Sequence, residues 1–186
     1  MHGNWYPKTS APDKYISEHQ SEVFYAVTLG DMVHDQYWIP NNFGFLEYKE
    51  ELKRLNGLPV FQTIGNHDHS IAYNTEEGAV IEYRENLGPN YFSFNIGNAH
   101  FVALDNINCT TDKEGLNVGS FNTHKYAVNI AGEQMEWLKK DLSYVPKDKV
   151  VFAFMHSTWH YNPGTKSYSS GFNMDDGEEL HTLLNA

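Results

Sequence analysis

The sequence has little cysteine, few basic residues and no long apolar run, and each shortage excludes a class of protein. A single cysteine, Cys109, excludes an internal disulfide framework. The 24 acidic residues outnumber 13 basic ones, and the resulting net charge of −11 argues against a nucleic-acid-binding surface. We find neither a run of about 18 apolar residues that could span a membrane nor a signal peptide. The compartment therefore stays open.

The hydrophobic content indicates a folded, globular chain. Of its 186 residues, 40% are hydrophobic and 15% aromatic, which suits an enzyme better than a disordered segment. The length favours one domain, and we assign residues 1–186 to it. The surplus of acidic residues is compatible with bound divalent cations, although it fits a solvated surface equally well.

Alternating strand and helix patterns predict an α/β fold. Apolar runs typical of buried strands alternate with segments of helical spacing, which indicates βαβ units and a largely parallel sheet. The strand runs are 23–29, 60–64 and 150–155, and the helical patterns cover 45–55, 76–87 and 133–145. Residues 92–104 show a period of two around Gly97-Asn98, which predicts a hairpin, either at a sheet edge or in a second sheet. Segment 106–125 lacks a period and fits a substrate lid or a surface insertion.

Each of the three apolar runs ends at a side chain that can bind a metal. Asp31 follows the first run, Asn66-His67-Asp68 follows the second, and His156 follows the third. Ligands bind beyond the carboxyl ends of strands in open α/β sheets, so these groups can converge on one crevice. Taken singly, Asp31 and Asn66 also fit turn or cap residues, and His156 fits a hydrogen-bonded histidine.

Taken together, the blocks resemble the calcineurin-like metallophosphoesterase family. The matching blocks are Gly30-Asp31-Met32-Val33-His34, Gly65-Asn66-His67-Asp68 and Met155-His156-Ser157. The resemblance implies an α/β sandwich of two mixed β-sheets flanked by helices. It also implies a hydrolase of phosphate mono- or diesters that works through a hydroxide bound between two divalent ions, such as Mn, Fe or Zn.

The resemblance also implies which residues hold the metal ions. Asp31 matches the carboxylate that bridges the two ions. Asn66 and His156 match two ligands of one of these ions.

The same resemblance assigns catalytic roles near the metal ligands. His67 matches the general acid, a role that suits the near-neutral pKa of histidine. Asp68 would accept a hydrogen bond from the other ring nitrogen of His67 and so orient the ring. His34 and His160 are candidates for substrate contacts or for groups that support the metal ligands.

Two blocks of the family pattern are not found in this sequence. No Asp-x-His block precedes Val23, and no Gly-His-x-His block follows His156, so the pattern is incomplete at both ends. We therefore keep an alternative, a truncated non-catalytic remnant or scaffold with at most a partial metal site, holding one ion or none. Incomplete sheets would expose edges, which predicts self-association. The expected partner is a phosphate ester of unspecified identity.

Two rival hydrolase motifs are excluded. His156 and His160 have the zincin spacing, but Ser157 stands where a zincin needs glutamate. The Gly-x-Ser-x-Gly elbow of a serine hydrolase does not occur.

Overall fold

The computed structural model describes residues 10–33, 43–73, 75–109, 126–130, 132–168 and 174–186. Within them the helices are α1 (Ser10–Glu18), α2 (Phe45–Leu52), α3 (Glu76–Ala79), α4 (Ile81–Leu87), α5 (Glu133–Ser143) and α6 (Gly177–Leu184). The strands are β1 (Ala26–Leu29), β2 (Val60–Thr63), β3 (Phe92–Ile96), β4 (Ala99–Ala103), β5 (Ile107–Cys109), β6 (Tyr126–Val128), β7 (Val150–Phe154), β8 (Tyr161–Asn162) and β9 (Ser167–Tyr168). The order of these elements confirms the α/β class.

The strands form separate sheets rather than one. β1 and β2 are parallel, and β4 pairs antiparallel with β3 and parallel with β7. β5–β6 and β8–β9 are small antiparallel pairs. The expectation of one largely parallel sheet was therefore wrong, because β7 lies beside β4 and not beside β1 or β2. The hairpin predicted around Gly97-Asn98 is confirmed, with Gly97 at φ +57°.

Aromatic side chains join the β1–β2 pair to the three-stranded sheet. Phe61 of β2 stacks on Phe94 of β3 with ring centres 3.9 Å apart. Tyr25, just before β1, meets Phe101 of β4 edge-on at 5.8 Å, and Phe101 stacks on Phe152 of β7 at 5.1 Å. Because such rings remove a large apolar area from water, this interface fixes the two sheets against each other.

The other face of β4 packs on helices. Side chains alternate along a strand, so Val102 points away from the aromatic interface that holds Phe101. Val102 joins a buried cluster with Leu104, Leu138 of α5 and Leu180 of α6. The central strand is therefore covered on both faces, as its apolar sequence requires.

A second core cluster anchors the loops that follow β1 and β2. Met32 and Val33 come directly after Asp31, and Ile64 comes directly before Gly65. All three are buried in a cluster whose other members are Phe45, Val80 and Tyr83. The polar groups at these strand ends therefore rest on rigidly packed neighbours.

Two local predictions need correction. The predicted helix over 76–87 breaks at Val80 into α3 and α4. The segment expected to lack periodic structure includes β5, which pairs with β6, while residues 110–125 of it lie outside the described residues. In the described part of the chain, no helix has the length and apolar character needed to cross a membrane. Self-association through sheet edges stays a prediction.

Candidate metal centre

The loop after β1 turns sharply to present Asp31. Gly30 and Asp31 both have left-handed backbone angles, with φ +94° and +58°. This conformation is uncommon for a residue other than glycine, so surrounding bonds must hold it. The Asp31 N–H donates to Asp68 Oδ2 at 2.8 Å, and Asp31 Oδ1 accepts from the His67 N–H at 3.0 Å. The bend thus joins the loop after β1 to the loop after β2.

The buried carboxylate of Asp68 ties the two loops together. Its Oδ2 accepts from the N–H groups of Asp31 and Gly65, each at 2.8 Å, and its Oδ1 accepts from Val33 N–H at 3.0 Å. Burial raises the pKa of Asp68 to about 7, while the bonds from Gly65 and Val33 act in the opposite direction. The role predicted for Asp68, orienting the His67 ring, stays a prediction.

Three ligand atoms converge at the ends of β1, β2 and β7. His156 Nδ1 lies 2.7 Å from the Leu29 carbonyl oxygen, which can only accept, so Nδ1 carries the hydrogen. The nitrogen left to bind a metal is Nε2, which lies 2.9 Å from Asn66 Oδ1 and 3.4 Å from Asp31 Oδ1. Three electron-rich atoms thus face one point, and a cation would satisfy all of them.

The separations and donor types fit a divalent transition metal. Donor atoms about 2.1 Å from one ion lie about 3.0–3.4 Å from each other at right or tetrahedral angles. The distances of 2.9 and 3.4 Å from His156 Nε2 lie close to the two ends of that range. Carboxylate, amide and imidazole donors together suit Mn, Fe or Zn.

His67 lies beside this cluster with part of its ring in solvent. Its Nε2 is 3.8 Å from Asp31 Oδ2, and its side chain is 32% exposed. An imidazole in this position is open to a molecule arriving from solvent. Its role as a general acid stays a prediction.

Of the other two candidate residues, His34 lies outside the described part of the chain. His160 is exposed in the segment between β7 and β8, and its role as a substrate contact stays a prediction.

A comparison with protein-family models decides the family. The model for calcineurin-like phosphoesterase matches residues 1–182. The chain belongs to the calcineurin-like phosphoesterase family. No curated protein matches the chain. Membership confirms the resemblance and the sandwich fold, and it supports hydrolysis of phosphate esters with divalent metals, as is general in the family.

In this calcineurin-like phosphoesterase, sequence reasoning missed a residue that supports His156. Asn106 is fully buried, and its amide makes two hydrogen bonds to the backbone of Ser157, donating at 2.8 Å and accepting at 3.0 Å. The bonds fix the loop immediately after His156. Asp105 and Asn106 lie just beyond the carboxyl end of β4, the second strand of the predicted hairpin. A search for polar residues at the end of that strand would have found them.

The loops after β1 and β2 approach each other closely at Gly30, which predicts that Gly30→Ala destabilises the protein and weakens metal binding. A methyl group at Gly30 would lie 2.7 Å from the Gly65 Cα and would also strike the His156 ring. We expect Gly30→Ala to lower the free energy of unfolding by about 1–3 kcal/mol beyond the cost of placing alanine at a positive φ. The added methyl group overpacks the site. Urea unfolding and metal titration measure both effects.

Gly57→Ala is the matched control for this experiment. Gly57 has φ +80°, so alanine there carries similar backbone strain, but its methyl group would meet no described atom within 4 Å. Metal binding should survive in Gly57→Ala. Equal losses in both variants would contradict the steric account.

The bonds of Asp68 predict that Asp68→Asn loosens the site. Asparagine has one oxygen where the carboxylate has two, so its NH₂ group would face a backbone N–H. We expect a loss of about 1–3 kcal/mol in the free energy of unfolding and weaker metal binding. Thermal unfolding and calorimetry measure these changes, and the exposed Asp148→Asn is the control. Unchanged stability with a reduced turnover number would instead favour the His67-orienting role.

Proposed function

We propose that this chain hydrolyses phosphate esters at the site formed by Asp31, Asn66 and His156, with divalent metal ions held by these residues. The observation that carries the proposal is the convergence of His156 Nε2, Asn66 Oδ1 and Asp31 Oδ1. Family membership supports the same chemistry independently.

The two oxygens of Asp31 face different neighbours, which supports a bridging role. Oδ1 lies toward His156 Nε2 at 3.4 Å, and Oδ2 lies toward His67 Nε2 at 3.8 Å. One oxygen can therefore serve an ion bound by Asn66 and His156, while the other serves a second ion. When bound, such ions neutralise charge on a phosphoryl group and make a water nucleophilic at neutral pH.

His67 is placed to handle the leaving group. Protonated at Nε2, it would donate a hydrogen bond to a phosphoryl oxygen and then give its proton to the departing alkoxide. The backbone N–H of His67 donates a hydrogen bond to Asp31 Oδ1, which fixes the position of His67 relative to the metal ligands.

The second candidate function is a non-catalytic domain that binds one ion. Asp31, Asn66 and His156 supply three donor atoms at one point, enough to hold a single ion. In that case metal would bind without turnover of any ester. Activity and metal content measured on one sample separate the two candidates.

Metal removal tests the proposed function. We expect a chelator to abolish hydrolysis of an aryl phosphate, and added Mn²⁺ or Zn²⁺ to restore it, because the described ligands require a cation. The readout is released phenol before and after chelation, with a circular dichroism spectrum as the control for folding. Full activity in metal-free protein would refute the mechanism, and bound metal without activity would favour the scaffold.

A further inference from the structure

His69 is a second histidine whose ring, like that of His156, is held by a backbone carbonyl oxygen. His69 is fully buried, and its Nδ1 is 2.8 Å from the carbonyl oxygen of Gly65. That carbonyl can only accept, so Nδ1 carries the hydrogen. The opposite nitrogen, Nε2, lies 3.2 Å from Glu76 Oε1 and 3.5 Å from Asp105 Oδ2.

These contacts place His69 Nε2 against two carboxylates, so a proton or a metal ion must lie between these groups. Neither carboxylate can donate when ionised, so Nε2 cannot face both with its lone pair at no cost. A proton is one solution: burial alone would lower the pKa of His69, but Asp105 and Glu76 raise it well above its usual value. A metal ion is the other.

The thiol of Cys109 favours the metal. The ligand atoms of Cys109, His69 and Glu76 all lie within 4.8 Å of one another. Glu76 Oε2 accepts a hydrogen bond from the Cys109 backbone N–H at 2.6 Å, which leaves Oε1 directed at His69. Zinc takes sulfur, nitrogen and oxygen donors together, so one ion would use all three of these atoms.

We propose that His69 Nε2, Glu76 Oε1 and Cys109 Sγ bind one divalent ion of the zinc class, with the Asp105 carboxylate beside the site. In a tetrahedral zinc site, nitrogen and oxygen donors lie about 3.3 Å apart, close to the 3.2 Å between His69 Nε2 and Glu76 Oε1. The ion fastens the loop after β2 to α3 and β5.

The surroundings of the three donors suit a buried metal site. The Gly65 carbonyl sets the tautomer of His69, as backbone carbonyls do for zinc-bound histidines. Asp105 is held by Ile107 N–H on Oδ1 at 3.1 Å and by the Asn90 amide on Oδ2 at 2.7 Å. His69, Asp105 and Cys109 are buried, and only Glu76, 32% exposed, reaches solvent.

Cobalt substitution tests the proposal, because Cys109 is the only cysteine in the chain. Cobalt bound by a thiolate absorbs in the near ultraviolet by charge transfer, whereas cobalt bound by oxygen and nitrogen alone does not. The full chain, freed of metal and titrated with Co²⁺, should show this band and lose it when zinc is added. Absorbance is preferred to thiol alkylation because burial raises the pKa of Cys109 to about 12 and makes the free thiol unreactive in any case.

Variants separate this site from the one at Asp31. Cys109→Ser should abolish the band, and His156→Ala should keep it, so the outcome does not depend on the proposed phosphoesterase activity. Glu76→Gln should weaken the cobalt affinity read from the band about tenfold or more. Glu77→Gln, next to it on α3 with an exposed side chain paired to Arg84, should not.

The result that overturns the proposal needs no variant. If the unmodified chain takes up cobalt and shows no thiolate band, His69, Glu76 and Asp105 form an ion pair that holds a proton. Equal affinities in Glu76→Gln and Glu77→Gln would likewise remove Glu76 from the ligand set.

Discussion

Replacing Asp31 by asparagine should lower phosphate-ester turnover by about 10³-fold or more, the largest effect that we expect. Removing the carboxylate takes away the negative charge between His67 and His156 and with it several kcal/mol of metal-dependent stabilisation, and about 1.4 kcal/mol corresponds to a factor of ten. Its Oδ1 also accepts the His67 backbone N–H, which the asparagine oxygen can still do. The variant should therefore fold, and steady-state kinetics with bound metal measured in parallel shows the loss.

Asp148→Asn is the control for the charge change. Asp148 is exposed at the amino end of β7, whereas His156 lies beyond the carboxyl end of the same strand. Its turnover should equal that of the unmodified chain. Normal turnover in Asp31→Asn, with metal bound, would contradict the assignment of Asp31.

Replacing His67 by alanine should have the second largest effect, and its size should depend on the substrate. For an alkyl phosphate we expect kcat to fall about 10²–10⁴-fold, the usual contribution of a general acid. For an aryl phosphate with a nitro group the fall should be much smaller, because nitrophenolate leaves without a proton. Kinetics on both esters give the difference directly.

His19→Ala, which alters a histidine between α1 and β1, is the control for this series. It should leave both rates unchanged. Equal losses on the alkyl and the nitrophenyl ester after His67→Ala would remove the general-acid role and leave a binding role.

The parts of this site that the sequence predicts are local to each strand. Asp31, Asn66 and His156 follow apolar runs, and the rule that ligands lie beyond the carboxyl ends of strands needs no knowledge of the pairing. The pairing itself was not predictable in this way. β7 lies beside β4 because the two apolar faces of β4 and their aromatic and helical cover decide the neighbours, and these contacts are distant in sequence.

Roles that depend on backbone geometry could not be predicted from the sequence either. Asp68 Oδ2 accepts the N–H of Asp31, 37 positions earlier, and this bond exists only because Asp31 is left-handed. The cluster of His69, Glu76 and Cys109 brings together the loop after β2, the start of α3 and the short strand β5. A lone cysteine and a histidine one place past a motif carry no signal of that meeting.

The most direct test of the central claim is an anomalous-scattering map from crystals of the chain grown with Mn²⁺ and inorganic phosphate. Our account predicts manganese bound to Asp31, Asn66 and His156, with phosphate on the metal and beside His67. Saturating Mn²⁺ that leaves no anomalous peak at these three side chains would contradict it.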